Sequence, residues 1–153
     1  MKVAVLYDSK FGNTKQVAEF LAEKMQANNH QVRLFRTTET KPQDLLAFQP
    51  VAILVGGPTH IGNPARTLGK FLKNLGKTGQ ETTIRKAAVF NCNNGTSVCK
   101  KIESQISKVL PKIKIFEKAL PIQTGGQRGP LPDNWKEDAN VFVSAFVTFI
   151  SAL

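Results

Sequence analysis

The segment Ser9-Lys-Phe-Gly-Asn-Thr14 sets two hydroxyls, a carboxamide and a glycine between an apolar run, Val3 to Tyr7, and a stretch of helical spacing that opens at about Thr14. Free N–H groups in such a turn and at the helix start point at one spot, and the helix dipole adds positive potential there. Ser9 and Thr14 supply hydroxyl donors and Asn13 an amide, while Gly12 lets the backbone close in without a Cβ. The chemistry is anion binding, and no cationic side chain is essential to it. Lys10 either screens the anion or is a solvated surface charge. A plain βα turn with Thr14 as helix N-cap is the alternative, but it does not call for so dense a set of Ser, Gly, Asn and Thr.

Two other phosphate motifs fail. A dinucleotide fingerprint needs Gly-x-Gly-x-x-Gly after the first strand, where this chain has only Gly12. A P-loop needs a glycine five places before Gly-Lys-Ser/Thr; Gly76-Lys77-Thr78 has Phe71 there, inside a helical pattern. Gly57-Pro-Thr-His-Ile-Gly62 is followed by Asn63-Pro64, so the lysine and hydroxyl are missing. Nucleoside triphosphate hydrolysis is not expected.

The elements that must position the first loop follow from periodicity. Val3–Tyr7, Val51–Val55 and Ala87–Phe90 are short continuous apolar runs, the pattern of strands covered on both faces. Gln31–Arg36 alternates, as an edge strand does, and so does Lys112–Phe116, which continues towards Leu120-Pro-Ile122. Helical spacing links Val17, Phe20, Leu21, Lys24 and Met25, then Leu68, Phe71, Leu72 and Leu75, then Val98, Ile102, Ile106 and Leu110. A fourth helix is predicted over 134–153, and 42–48 reads as a connection holding a helical turn. Such alternation predicts an α/β fold, a doubly wound, five-stranded parallel sheet with helices on both faces, in a single domain over 1–153. Ligands of these sheets bind beyond the carboxyl ends of the strands where strand order reverses. The loops after Tyr7, Val55 and Phe90 are therefore the ones to inspect.

At these positions the chain resembles the flavodoxin family. Leu6-Tyr-Asp-Ser-Lys-Phe-Gly-Asn-Thr14, followed by Ala18, is similar to the loop that holds the FMN phosphate. Gly57-Pro-Thr-His-Ile-Gly-Asn63 is similar to the flavin-edge loop of flavodoxins and flavodoxin-like quinone reductases. Ala88-Val-Phe-Asn91 and Gly129-Pro-Leu131 extend the likeness along the chain. The resemblance implies strand order 2-1-3-4-5 and FMN as cofactor. It implies Ser9, Lys10, Phe11, Gly12, Asn13 and Thr14 around the phosphate. Pro58, Thr59, His60, Ile61, Gly62 and Asn63, with Asn91, Cys92, Asn93, Asn94 and Gly95, are then the flavin-edge residues.

Within those loops, His60 either hydrogen-bonds the polar edge of the flavin, shuttles a proton, or is a rim residue. Reduced flavin gains an N–H donor, and a peptide containing Gly62 can turn its carbonyl towards it at low steric cost. Asn91, Asn93, Asn94 and Gly95 read as a turn whose amides reach the pyrimidine edge, or as a capped loop leading to Thr96. Cys92 and Cys99 are not expected to form a disulfide, and no residue is expected to be catalytic or to bind a metal.

Two departures from the family stand out. The only Tyr, Tyr7, ends a strand and the only Trp, Trp135, starts a helix, so neither is placed to stack on a flavin; and the chain is basic, with 21 Lys and Arg against 11 Asp and Glu, a formal charge of +10. The excess lies late, with seven basic and five acidic residues up to Gly57 and fourteen and six after it. Arg66, Lys70 and Lys73 share one predicted helix, and Lys100, Lys101 and Lys108 the next. The expected function is electron transfer between redox partners, one of them acidic; the alternative is an FMN-dependent NAD(P)H:quinone reductase or a reductase of another small acceptor. Nucleic-acid binding is the rival class, but no reading motif or stacking platform accompanies the lysines. The uninterrupted apolar run before Asp8, Val3 to Tyr7, is too short for a secretory segment and no run approaches the ~20 residues of a membrane span, so a cytoplasmic protein is expected. Val141, Phe142, Val143, Phe146, Val147, Phe149, Ile150 and Leu153 put apolar groups around more than one helix face, from which a homodimer is expected.

Overall fold

The computed structural model describes residues 1–78, 81–126 and 128–152. Its elements run β1 (Lys2–Tyr7), α1 (Asn13–Ala27), β2 (Gln31–Arg36), α2 (Pro42–Ala47), β3 (Ala52–His60), β4 (Asn63–Pro64), α3 (Arg66–Lys77), β5 (Lys86–Asn93), α4 (Cys99–Val109), β6 (Lys114–Ile115), β7 (Leu120–Gln123) and α5 (Trp135–Ser151). The sheet order is β2-β1-β3-β5-β6, with β7 beside β5 further along and β4 folded back antiparallel on β3. All other pairings are parallel. With β6 and β7 taken as two pieces of one interrupted strand, this is the expected 2-1-3-4-5 order.

The uninterrupted apolar runs have the cause inferred for them: both faces of each central strand are covered. Val3, Val5 and Tyr7, with Leu54 and Phe90, pack under α1 and α5 against Val17, Leu21, Met25, Phe142 and Phe146. The alternate residues Ala4, Leu6, Ile53, Val55 and Val89 pack on the other face against Leu45 of α2, Leu68 and Leu72 of α3, and Ile102 and Ile106 of α4. The period of two on the strands thus divides one apolar sequence between two cores. At the sheet edge, β2 buries only Phe35 and presents Arg33 and Arg36, charges that discourage further strand pairing.

Two boundaries and one helix face differ from the reading of the sequence. Residues 57–60 are strand rather than loop, because β3 runs on to His60 and turns back through Ile61-Gly62 into Asn63-Pro64. Asn91 to Asn93 are also strand, and the turn begins only at Asn94. Here polar side chains lie in strands because their amides bond neighbouring backbone, a compensation invisible to apolar periodicity. On α5, the second apolar face is covered within the chain: Phe116 meets Phe149 at 5.2 Å, Lys86 lies 4.9 Å from the Phe149 ring, and Val147 packs on the core. Val141, 72% exposed, is the large apolar side chain this helix leaves in solvent among the described residues; Leu153 lies outside them.

Candidate functional site

The carboxyl ends of β1, β3 and β5 are in register, with Tyr7 opposite Gly56, Gly57 opposite Asn91 and Pro58 opposite Cys92. The chain leaves β1 towards β2 on one side and returns to β3 on the other, so strand order reverses beside β1, where α/β sheets bind ligands. A shallow, open cleft lies there. Ser9, Lys10, Phe11, Asn13 and Thr14 line it from the first loop, Pro58 to His60 from β3, Cys92 and Asn93 from β5 with Asn94 just after it, and Thr124 and Gly126 from the segment after β7. Gly12, Ile61, Gly62, Asn63, Asn91 and Gly95, also named from the sequence, do not line it.

The first loop is built to present α1. Gly12, not Thr14, is the cap residue, with φ of 101° in the left-handed region that favours glycine, and no side chain caps the helix. Thr14 instead lies inside the first turn, 2% exposed, with its hydroxyl beside the Cys92 thiol. The first-turn N–H groups have no intrahelical acceptors, so their donors and the helix dipole face the cleft. Ser9 Oγ accepts from Gly12 N–H at 3.2 Å and shapes the turn. The Asn13 amide donates to the Gly129 carbonyl at 2.9 Å, tying the loop to the segment before α5. Beside it Phe11 is flanked by cations, Arg128 4.7 Å and Lys10 5.4 Å from its ring centroid.

Asp8 anchors this loop from below. It is buried, its N–H donates to Gly56 O at 3.0 Å, and its Oδ2 accepts from Thr37 Oγ1 at 2.6 Å and from Thr67 Oγ1. One carboxylate therefore joins the roots of the segments after β1, after β2 and at the start of α3. Arg36 closes the same junction, donating from Nη2 to Ser9 O at 2.6 Å.

The other two walls share an amide network. Asn91, fully buried, donates to Gly57 O at 2.9 Å and accepts from Val98 N–H at 3.2 Å. Thr59 Oγ1 donates to Thr96 O at 2.8 Å, and Asn93 Oδ1 accepts from Gly95 N–H at 3.0 Å. Asn91 is thus a strut between β3, β5 and α4, a correction to its reading as a turn residue. Burial pushes the Cys92 thiol up to about 11, against a smaller opposing effect from Thr14, so it is neutral in the site. Cys92 and Cys99 are both free thiols.

The hairpin above the cleft carries backbone strain. Ile61 has φ of 50° and Gly62 of 73°, the left-handed pair of a tight two-residue turn. Glycine accepts this conformation, but a β-branched residue there is a genuine outlier, and Ile61 is fully exposed at the tip. Asn63 Nδ2 donates to Ile61 O at 3.3 Å, and Lys101 Nζ reaches Gly62 O from α4.

Sequence reasoning missed Asp8, Arg36, Thr37, Thr67, Thr96, Thr124, Gly126 and Arg128 as residues that shape or border the site, and named Lys101 and Gly129 only for charge and for the family likeness. Most are distant in sequence from the loops they hold, so no local pattern marks them. Asp8 was the one with a signal, a charge at the end of an apolar strand.

These features define an α/β protein with an uncapped helix start at its topological switch point. A family profile described as a flavodoxin domain matches residues 4–120, and the chain belongs to that family. It is 33% identical over 96 residues to a flavodoxin of Aquifex aeolicus, covering 61% of this chain and 51% of that protein. To the coenzyme F420H(2) oxidase of Methanothermobacter marburgensis it is 30% identical over 97 residues, covering 61% of this chain and 24% of that protein. The chain thus spans about half the length of the first of these curated relatives and about a quarter of the second. The fold matches that of a flavodoxin from the domain Archaea with a TM-score of 0.80 at 20% identity, covering 99% of this chain and 100% of the other.

The residues present fit FMN, the cofactor of the family. The open start of α1, the Thr14 hydroxyl, and the Lys10 and Arg128 cations together suit a phosphate monoester. Phe11 gives the cleft an aromatic wall; Tyr7 and Trp135 are core residues, Trp135 packing edge-on to Phe20 at 5.0 Å. Among the described residues no cluster could hold a metal, and no helix is long and apolar enough to cross a membrane.

Proposed function

We propose that this chain, as one domain over 1–153, binds FMN noncovalently and carries electrons between redox partners. The observation that carries the reading is the uncapped N-terminus of α1, with Gly12 in the left-handed region, at the switch point of a flavodoxin-family sheet. FMN supplies the redox chemistry when bound, and the protein supplies binding, orientation and electrostatics. Ser9, Lys10, Phe11, Gly12, Asn13 and Thr14 form the phosphate loop: Thr14 and the first-turn N–H groups donate, and Ser9 and Asn13 hold the loop in shape. Pro58, Thr59 and His60 wall the ring on one side and Cys92, Asn93 and Asn94 on the other. Ile61, Gly62 and Asn63 make the hairpin above it; Asn91 and Gly95 keep the second wall in place.

The carrier reading is supported by two groups at the site that are not poised to react: Asp8, below the first loop, is engaged by two threonines, and Cys92 is held neutral. An acidic partner suits the basic excess, with Arg66, Lys70 and Lys73 on α3 and Lys100, Lys101 and Lys108 on α4. The second reading, a reductase of quinones or other small acceptors fed by NAD(P)H, is favoured by the absence of Tyr and Trp from the cleft lining, which limits aromatic cover to Phe11. Since Phe116, Lys86 and the core cover the other face of α5, we infer a monomer rather than the dimer expected from sequence, and sedimentation equilibrium at micromolar concentration should give the mass of one chain. The reduced, buried cysteines accord with a cytoplasmic setting.

Stopped-flow mixing of the FMN-loaded protein with NADPH separates the two readings. A carrier should be reduced slowly by NADPH and quickly by an acidic redox protein, at a rate that falls steeply with salt as the Debye length shortens to about 8 Å at 0.15 M. Fast NADPH oxidation followed by salt-independent turnover of a neutral quinone would overturn the carrier reading.

A further inference from the structure

A second cleft, of about 380 Å³, lies on the outer side of the phosphate loop, between the end of β2 and the start of α3. Lys10, Arg36, His60 and Arg66 line it, together with Thr38 and Thr67. Ser9, Lys10 and His60 border both clefts, but Arg36, Thr38, Arg66 and Thr67 belong to this one alone. We propose that it is a second anion site, taking a phosphate dianion, either free or carried on a nucleotide.

Three independent observations support the site. The first is charge. Asp8 is the acidic residue in the lining, and its Oδ2 already accepts from Thr37 and Thr67. Of the three permanent cations, only Arg36 has an acidic neighbour among the described residues, Glu39 at 3.7 Å, and that pair is open to solvent and weak. The cleft is therefore net positive.

The second is an orphaned donor. Arg36 Nη2 donates to Ser9 O at 2.6 Å and Nη1 faces Glu39, but Nε is buried without a hydrogen-bond partner among the described residues. A buried donor left unsatisfied is costly, more so on a charged group, so an anion in the cleft towards which the guanidinium can turn Nε is favoured.

The third is the placement of Arg66 as the first residue of α3, a twelve-residue helix with no acidic residue in its first turn. A cation there opposes the helix dipole. Bound phosphate reverses the sign of both effects, because it is attracted by the Arg66 guanidinium and by the helix start together, with the Thr38 and Thr67 hydroxyls near by.

Titration calorimetry of inorganic phosphate into the FMN-saturated protein at low ionic strength tests the site while the phosphate loop is occupied. A saturable one-to-one isotherm is expected. Arg66→Gln should weaken it roughly tenfold, as loss of a charge-assisted contact does. Lys73→Gln removes the same charge from an exposed position on α3 and should leave the isotherm unchanged; neither variant should alter FMN affinity more than twofold. If NADP⁺ binds more tightly than both phosphate and NAD⁺, the dianion is carried on a nucleotide; if phosphate binds as tightly as NADP⁺, the site takes the free ion. An isotherm that does not saturate, or equal weakening by Arg66→Gln and Lys73→Gln, would show only the general field of a basic protein and would overturn the proposal. Failure of the FMN reading is distinguishable, because phosphate would then fill the first loop as well, as a second equivalent insensitive to Arg66→Gln.

Discussion

The Lys101 ammonium, carried on α4, donates to the carbonyl of Gly62 at 2.6 Å and also reaches Asn63 Oδ1 at 3.2 Å. The peptide best able to turn a carbonyl towards a reduced flavin is thus pinned from a neighbouring helix. Lys101→Met should free that carbonyl, and Lys100→Met, removing an exposed charge one residue away, serves as the electrostatic control. Relative to that control, the first one-electron potential of the FMN-loaded protein should become less negative, by about 59 mV if reduced-state binding improves tenfold. Equal potentials in the two variants would show that Lys101 acts through charge alone.

Ile61 is a β-branched residue at φ 50° with its whole surface in solvent, so neither conformation nor packing explains it. Ile61→Asn creates the Asn-Gly pair that such two-residue turns prefer and should stabilise the protein by about 1 kcal/mol. Urea denaturation measures the change. A loss of stability would mean that Ile61 makes a contact that offsets its backbone strain.

Cys92 gives a pH dependence. Burial raises its pKa in the folded state from an ordinary 9 to about 11, so the neutral thiol's contribution to stability is complete below pH 9 and is lost as pH rises through about 11. Burial also raises Cys99. Stability should therefore fall across this alkaline range, and Cys92→Ala should remove part of the slope and leave the part due to Cys99. Denaturation midpoints between pH 8 and 11 measure it; an unchanged slope in Cys92→Ala would contradict the assignment.

The central strands were legible because burial on both faces writes an unbroken apolar run, and the helices because one face of each is apolar at a period near 3.6. The turn after β1 was legible for a related reason, since a left-handed glycine and small polar residues in one short segment mark its geometry; that it holds a phosphate is part of the proposed function. Asn91 was misplaced because local pattern marks Asn-Cys-Asn-Asn-Gly as a turn, whereas the bonds that keep Asn91 in β5 come from Gly57 and Val98. The second face of α5 was misread for the same reason: its cover, Phe116, stands in the interruption between β6 and β7. Contacts between residues far apart in sequence decided both cases.

An uncapped start of α1 that holds a phosphate must distinguish FMN from riboflavin. Fluorescence titration of the flavin-free protein should give one tight FMN site. Riboflavin lacks the phosphate addressed by the Thr14 hydroxyl and the first-turn N–H groups, and should bind roughly a hundredfold more weakly, with Thr14→Val narrowing the difference. Equal affinity for FMN and riboflavin would show that the loop after β1 does not hold the phosphate.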